Sequence, residues 1–443
     1  MADLVKDRGI LSLSWPLIIT FGIGVFQPMM DSWFLSRTSE SAAAGVGALM
    51  PILGTIFMAI QAFSQAGSSI ASQFMGANAN SHARTTITMV ILGSILLGFS
   101  MTLLVLPSSH WIVGAMGLSG DTAKFGVEFL QVVCFGFLFR ASQTTLTALI
   151  ATHGLTIWNL IGNAITIVFN ILLNIVFLEG LFGIPQMHVK GVALATALSW
   201  AFSSLVLWLV LRYKIRHKTK MTEVKRSRAI LGDWIRIGLP AAAEPVSFQL
   251  FQVFITAMTV HLGTLAVTAK VFSANFAMFA IILGVGLGNG NQILVAHLVG
   301  AHDYKKSNRR TFQSLFASSS AGFVVALIVA LCGPHLMRLY TDNPDVIALG
   351  SACLWCDVIL QPFKSANVIL TGSLRAAGDS KFPAIVGSLM MWTLGAGTAL
   401  FLAFVLDLGL IGLWLGMASD EFYRSCANLW RWKSGRWKAA TVI

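Results

Sequence analysis

Apolar residues in this chain come in long unbroken runs, not in the alternation of a strand or the narrow stripe of a surface helix. Twelve runs are long enough to cross the roughly 30 Å hydrocarbon core of a bilayer as helices. They lie at about 10–35, 43–74, 85–106, 122–149, 157–180, 190–212, 234–260, 264–299, 311–335, 346–371, 382–405 and 409–430. Short loops join them, so the pattern predicts an all-α integral membrane protein of twelve transmembrane helices. The first run continues into a second hairpin, which argues against a cleavable signal.

Composition narrows the picture. Of 443 residues, 56% are apolar and 11% charged, against about a quarter charged in soluble domains, and mean hydropathy is +0.76. A soluble enzyme, a disordered chain and a disulfide scaffold are thereby excluded. The net charge of +12 fits basic loops facing an anionic leaflet better than nucleic acid. With the N-terminus inside, 23 of the 30 basic residues fall on the cytoplasmic side and four outside. That split predicts an inner-membrane protein with both termini cytoplasmic. Cys353-Leu-Trp-Cys356 is a lone pair within an apolar run, and the nine histidines form no HExxH pattern. No metal, cofactor or enzymatic centre is expected.

Sliding the chain against itself by 224 residues sets Pro16 on Pro240, Gly76-Ala77 on Gly300-Ala301, Asp121 on Asp345 and Arg140 on Lys364. The expected organisation is a six-helix lobe at 1–211, a basic linker at 212–231, a second six-helix lobe at 232–430 and a basic tail at 431–443. Six spans per half is an even number, so the two bundles share one orientation and are related by a pseudo-two-fold axis along the membrane normal.

A charge at the bilayer centre costs about 2.5–3.5 kcal/mol on insertion scales, so intramembrane charges mark function by default. Asp31, Arg140, Glu244, Asp357 and Lys364 qualify. Thr20, Gln27 and Asp31 share one face of the first helix, although Asp31 could also be an interfacial acid paired with Arg37. Pro16, Pro28 and Pro240 are candidate hinges. Glu244, with Phe248 and Phe251 following it, reads as a cavity wall or as a core stripe. Asp357, Gln361, Lys364, Asn367 and Thr371 form the clearest polar stripe, with a fainter copy in Arg140, Gln143, Thr144 and Thr147. Glu244 and Lys364 are expected to pair. Asn170, Asn174 and Thr196 suit interhelical hydrogen bonds or, joined with Asp31, oxygen ligation of an ion.

Several stretches resemble the multidrug and toxic compound extrusion (MATE) family. They include Asp31-Ser-Trp-Phe-Leu, Ala71-Ser-Gln-Phe-Met-Gly76-Ala77, Ile237-Gly-Leu-Pro240 and, most specifically, Leu374-Arg-Ala-Ala-Gly378-Asp379. The resemblance implies two lobes forming a V and export of small organic, often cationic, compounds by antiport with H⁺ or Na⁺. It marks Asp31, Asn170, Asn174 and Thr196 as the N-lobe ion site. Asn174 stands where many members have a second carboxylate, so Asp31 would act alone. Lys364 stands where some have an acid. A monomer in the lipid bilayer is expected, without nucleic-acid partners. A flippase of a lipid-linked or anionic substrate, served by Arg140 and Lys364, is the alternative.

Overall fold

The computed structural model describes residues 9–217 and 228–442. Half of the expected linker, 218–227, lies outside the described residues, as do Lys6 and Arg8. Every regular element among them is helical. Twelve long helices follow in order: α1 Ile10–Thr38, α2 Glu40–Gly76, α3 Asn80–Ala115, α4 Gly120–Thr152, α5 Thr156–Glu179, α6 His188–Tyr213, α7 Arg228–His261, α8 Thr264–Gly300, α9 Tyr304–Leu331, α10 Pro344–Ala376, α11 Lys381–Val405 and α12 Gly409–Lys433. A short helical turn, Gly333–Met337, lies between α9 and α10.

Local chemistry sets several of the boundaries. Asn343 caps α10 by accepting from the backbone N–H groups of Asp345 and Val346, with Pro344 in the first turn where no N–H is needed. Asp303 caps α9 through the N–H of Lys306. Helix α5 stops at Gly180, whose φ of +71° closes the last turn.

Among the described residues, nine helices are long and apolar enough to cross a membrane, and the stretch Ile10–Gly24 of α1 is a further apolar helix. Helix α7 falls short through Glu244, Gln249 and Gln252, and α12 through Asp420, Glu421 and Arg424. Both helices nevertheless form, because Glu244, Asp420, Glu421 and Arg424 find partners inside the protein.

The chain divides into two compact units. Of the described residues, the first comprises Ile19–Ala71 and Ala79–Gly238; the second comprises those up to Ile18, Ser72–Asn78 and Leu239 onward. The start of α1 and the end of α2 therefore belong with the second unit. In the first, α3 packs on α4, α4 on α6 and α6 on α5. Helix α4 tightens into a 3-10 turn over Cys134–Gly136, and a Cβ at Gly136 would press on Ala197 and Trp200. In the second unit α10 is central and packs on α8, α9 and α12. Helix α11 carries two π-helical turns, Met391–Gly395 and Phe401–Val405, which meet α12 where Gly395 approaches Asp420 and where Gly412 approaches Leu402 and Ala403. Such wide turns often accompany functional sites.

One crossing in the second unit repeats the 224-residue interval in three dimensions. Gly76 lies against the backbone of His297, and Gly300 against the backbone of Gln73. Positions 73 and 297, and 76 and 300, are each 224 apart, so the ends of α2 and α8 cross reciprocally. Gln73 adds a bond from Nε2 to the Ala376 carbonyl at 2.6 Å. A side chain at either glycine overlaps the facing main chain, and overpacking costs about 1–3 kcal/mol even where the surroundings yield. Gly76→Val and Gly300→Val are each expected to lower the thermal midpoint of the purified protein markedly. An unchanged midpoint for either would show that the helices do not approach this closely.

Candidate functional site

The first unit gathers Asp31 of α1, Asn170 and Asn174 of α5 and Thr196 of α6, all buried. Residues 170 and 174 are one turn apart, so both amides face the same way. Thr196 Oγ1 donates to Asp31 Oδ2 at 3.1 Å, and Asn174 Nδ2 reaches Asp31 Oδ1 at 3.4 Å. Asn174 Nδ2 also donates to Asn170 Oδ1, and Asn170 Nδ2 to Thr196 Oγ1. The ring is built from neutral donors, and no basic side chain among the described residues forms an ion pair with Asp31. Asn174 Oδ1 is buried without a partner, as is Gln27 Nε2 one turn away on α1. The site thus holds one uncompensated carboxylate and a spare carbonyl oxygen, which together suit a hard monovalent cation. Arg37 does not serve Asp31; it lies 4.1 Å above the Trp33 ring. Helix α1 runs continuously through Pro16 and Pro28.

Arg140 is placed differently. Its guanidinium lies 5.3 Å from the Phe57 ring centre and 5.5 Å from that of Trp200, and Nη1 donates to Gln143 Oε1 at 3.0 Å. Gln143 in turn donates to Thr166 and Ser203. Aromatic faces and one amide stabilise this cation without a carboxylate.

The second unit contains a larger charged network. Arg375 Nη2 meets Glu244 Oε2 at 2.7 Å, and Arg424 Nη1 meets Glu244 Oε1 at 3.7 Å. Arg424 also pairs with Asp420 at 2.7 Å and Glu421 at 2.9 Å. Asn367 donates to Glu421, and Asn428 to both Asn367 and Thr371. Pro245 contributes by what it lacks. Without its N–H the Ala241 carbonyl loses its helical partner, and Arg375 Nη2 donates there at 3.3 Å. Three carboxylates against two guanidiniums leave a formal charge of −1.

Three expectations are corrected here. Glu244 does not pair with Lys364, because Arg375 and Arg424 occupy both of its oxygens, while Lys364 lies 5.7 Å from the Phe248 ring centre. Arg375 and Arg424, counted with the cytoplasmic charges, are folded inward. Removing them does not reverse the basic asymmetry. Asp357 accepts from Gln361 at 2.9 Å and from Trp414 at 3.4 Å. Phe251 packs in a closed core with Ile255 and Met391, so it lines no open cavity. Asp420 and Glu421 escaped the sequence reading, as did their grouping with Arg424, although acids three and four residues before an arginine, midway along a predicted span, were a visible signal.

Comparison with known proteins follows the same organisation. The MatE family profile matches twice, over residues 16–176 and 240–401, with starts 224 residues apart. The chain is 29% identical over 433 residues to the transporter YisQ of Bacillus subtilis, covering 98% of this chain and 95% of that one. It is 23% identical to a probable multidrug resistance protein NorM of Thermotoga maritima, over 94% and 89% of the respective chains. A MOP superfamily transporter from Pyrococcus furiosus has the same fold, with a TM-score of 0.89 at 18% identity over 99% of this chain and 98% of that one.

The corrected pairing is measurable. In double-mutant cycles read by thermal unfolding, Glu244→Gln with Arg375→Gln is expected to show a coupling energy of about 0.5–3 kcal/mol, as for residues in contact. Glu244→Gln with Lys364→Gln should be additive within about 0.5 kcal/mol. The reverse ranking would overturn the network.

Proposed function

The chain belongs to the MatE family of multidrug efflux transporters, and on that premise we propose that it exports small organic compounds, organic cations among them, by antiport with a monovalent cation held at Asp31. The carrying observation is the unpaired carboxylate. A buried acid with no cationic neighbour is stabilised by a bound proton or sodium ion, and that ion changes the charge of the site from −1 to zero. Coupling then needs the ion and the substrate to favour different conformations, since a ligand with equal affinity for both shifts nothing. Asp31 lies on α1 between helices α5 and α6, so neutralising it alters the hydrogen bonds that hold α1 to them. Pro16, Pro28 and Pro240 are the hinges in this reading. The charged network around Glu244 holds α7, α10 and α12 together, and Asp357 with Gln361 forms a separate polar centre.

A second reading keeps the flippase. Arg140 has no carboxylate partner, and an anionic headgroup would supply one. Vesicle assays separate the two. Uptake of a fluorescent organic cation into inverted vesicles, under separately imposed pH and sodium gradients, is expected to follow one gradient in the wild type. It should fall to the protein-free level in Asp31→Asn, with that variant still present in the membrane. Wild-type uptake by Asp31→Asn would refute the proposal, whereas gradient-independent movement of an anionic lipid would favour the flippase.

We assign both termini to the cytoplasmic face of the inner membrane, from the basic asymmetry, and take the working unit as a monomer. Cys332 is exposed at the end of α9, which this orientation puts outside. A membrane-impermeant maleimide should therefore label intact cells at Cys332, and Cys332→Ser should remove that labelling. Labelling of Cys332 confined to inverted vesicles would reverse the orientation.

A further inference from the structure

In the first unit, α3, α4 and α6 enclose a groove of about 1090 Å³. Leu92 and Ile95 of α3 form one wall, Leu205 and Trp208 of α6 the other, and Phe139 of α4 lies on the floor. All five are exposed. The volume is at the top of the roughly 300–1,000 Å³ typical of small-molecule pockets, and most of the lining is apolar.

One end of the groove is cationic. It closes on Thr88, Arg212 and His217. His217 Nε2 is 3.1 Å from Thr88 Oγ1, and Arg212 Nη1 donates to the His217 carbonyl at 3.3 Å. Burial of the His217 imidazole, with His153, Arg84 and Arg212 close by, pushes it down to about 4. It is therefore neutral at neutral pH, and the charge at this end belongs to the guanidiniums. Among the described residues no carboxylate pairs with Arg84 or Arg212, and Lys214 and Arg216 follow Arg212 in the sequence. From 212 to 228 the sequence holds eight basic residues and a single acid, Glu223.

The length of the groove is informative. Its lining climbs from Thr88 to Ile95 on α3 and descends from Ala201 to Arg212 on α6. Eleven residues of helix, as on α6, rise about 16 Å, half of a roughly 30 Å hydrocarbon core. An apolar channel one leaflet deep, capped at the interface by unpaired guanidiniums, matches a lipid tail joined to a phosphate, which arginine binds through paired N–H groups.

We propose that this groove binds an anionic glycerophospholipid, with an acyl chain between α3 and α6 and the phosphate on Arg212 and Arg84. Only the naming of that leaflet as cytoplasmic rests on the orientation assigned above. The site shares no residue with the Asp31 ring or the Glu244 network.

The test uses the full chain in phosphatidylcholine vesicles with a trace of spin-labelled phosphatidylglycerol or spin-labelled phosphatidylcholine. The motionally restricted fraction is read by electron paramagnetic resonance. Wild type should prefer phosphatidylglycerol over phosphatidylcholine by roughly thirtyfold, as expected for two basic contacts. The preference should vanish in the double variant Arg84→Gln/Arg212→Gln and fall in Ser142→Trp, which fills the groove floor. It should persist in Lys305→Gln/Lys306→Gln, which removes two charges from the second unit. Equal binding of the two lipids by wild type would overturn the proposal. So would equal loss in the lysine variant, which would indicate surface charge alone. Displacement by glycerol phosphate would mean a free-phosphate site, and displacement by the fluorescent organic cation a substrate portal; either also overturns it.

Discussion

Hydrocarbon contains no water, so a polar or charged group carried into it must be satisfied by the protein itself. The interior of this molecule follows from that constraint. Arg424, on the last helix, meets three carboxylates within 4 Å, and Arg375 answers both Glu244 and the carbonyl that Pro245 leaves without a donor. Removing one partner from such a network strands the others in a medium where a buried charge is costly. The helices that carry the network, α7, α10 and α12, are held by this mutual dependence as well as by apolar packing.

The two units satisfy the constraint in different ways, although the MatE profile matches the sequence of both halves. In the second unit most charge is compensated internally. In the first, Asp31 is surrounded by amides and a hydroxyl, and Arg140 by rings and an amide. Hydrogen bonds from neutral donors reduce the cost of a buried carboxylate but do not cancel its charge. An acid held this way has an electrostatic demand that only an incoming cation meets, whereas the network around Glu244 is already largely paired. This difference is the physical basis for giving Asp31 the coupling role and the second unit's network a scaffolding one.

Close backbone approach is the other recurring device. At Gly76 and Gly300 the absence of a side chain lets two helix ends cross at main-chain distance, and at Gly412 it lets α12 seat against the widened turn of α11 at Leu402 and Ala403. Dispersion and close packing between helices are the main attraction available in a bilayer, because lipid tails are as apolar as leucine. Glycine at such crossings is therefore a packing residue, and its repetition at 224 residues preserves a contact as well as a letter.

Hydrophobic runs located the twelve long helices, and among the described residues nine meet the length of apolar chain that spanning hydrocarbon needs. The repeat interval and the membership of Asp31, Asn170, Asn174 and Thr196 in one candidate site were also legible, the first from register and the second from family resemblance. Which charges are partners was not legible. Helical periodicity says which face a residue occupies but not which neighbouring helix that face meets, so Glu244 was matched with Lys364 when Arg375 and Arg424 were the groups within reach. Arg424 looked like a loop charge because depth was judged from the end of its own run. Its nearest carboxylates, Asp420 and Glu421, lie on its own helix; only the packing of α7 and α10 against α12 added Glu244 and the Asn367 amide that holds Glu421.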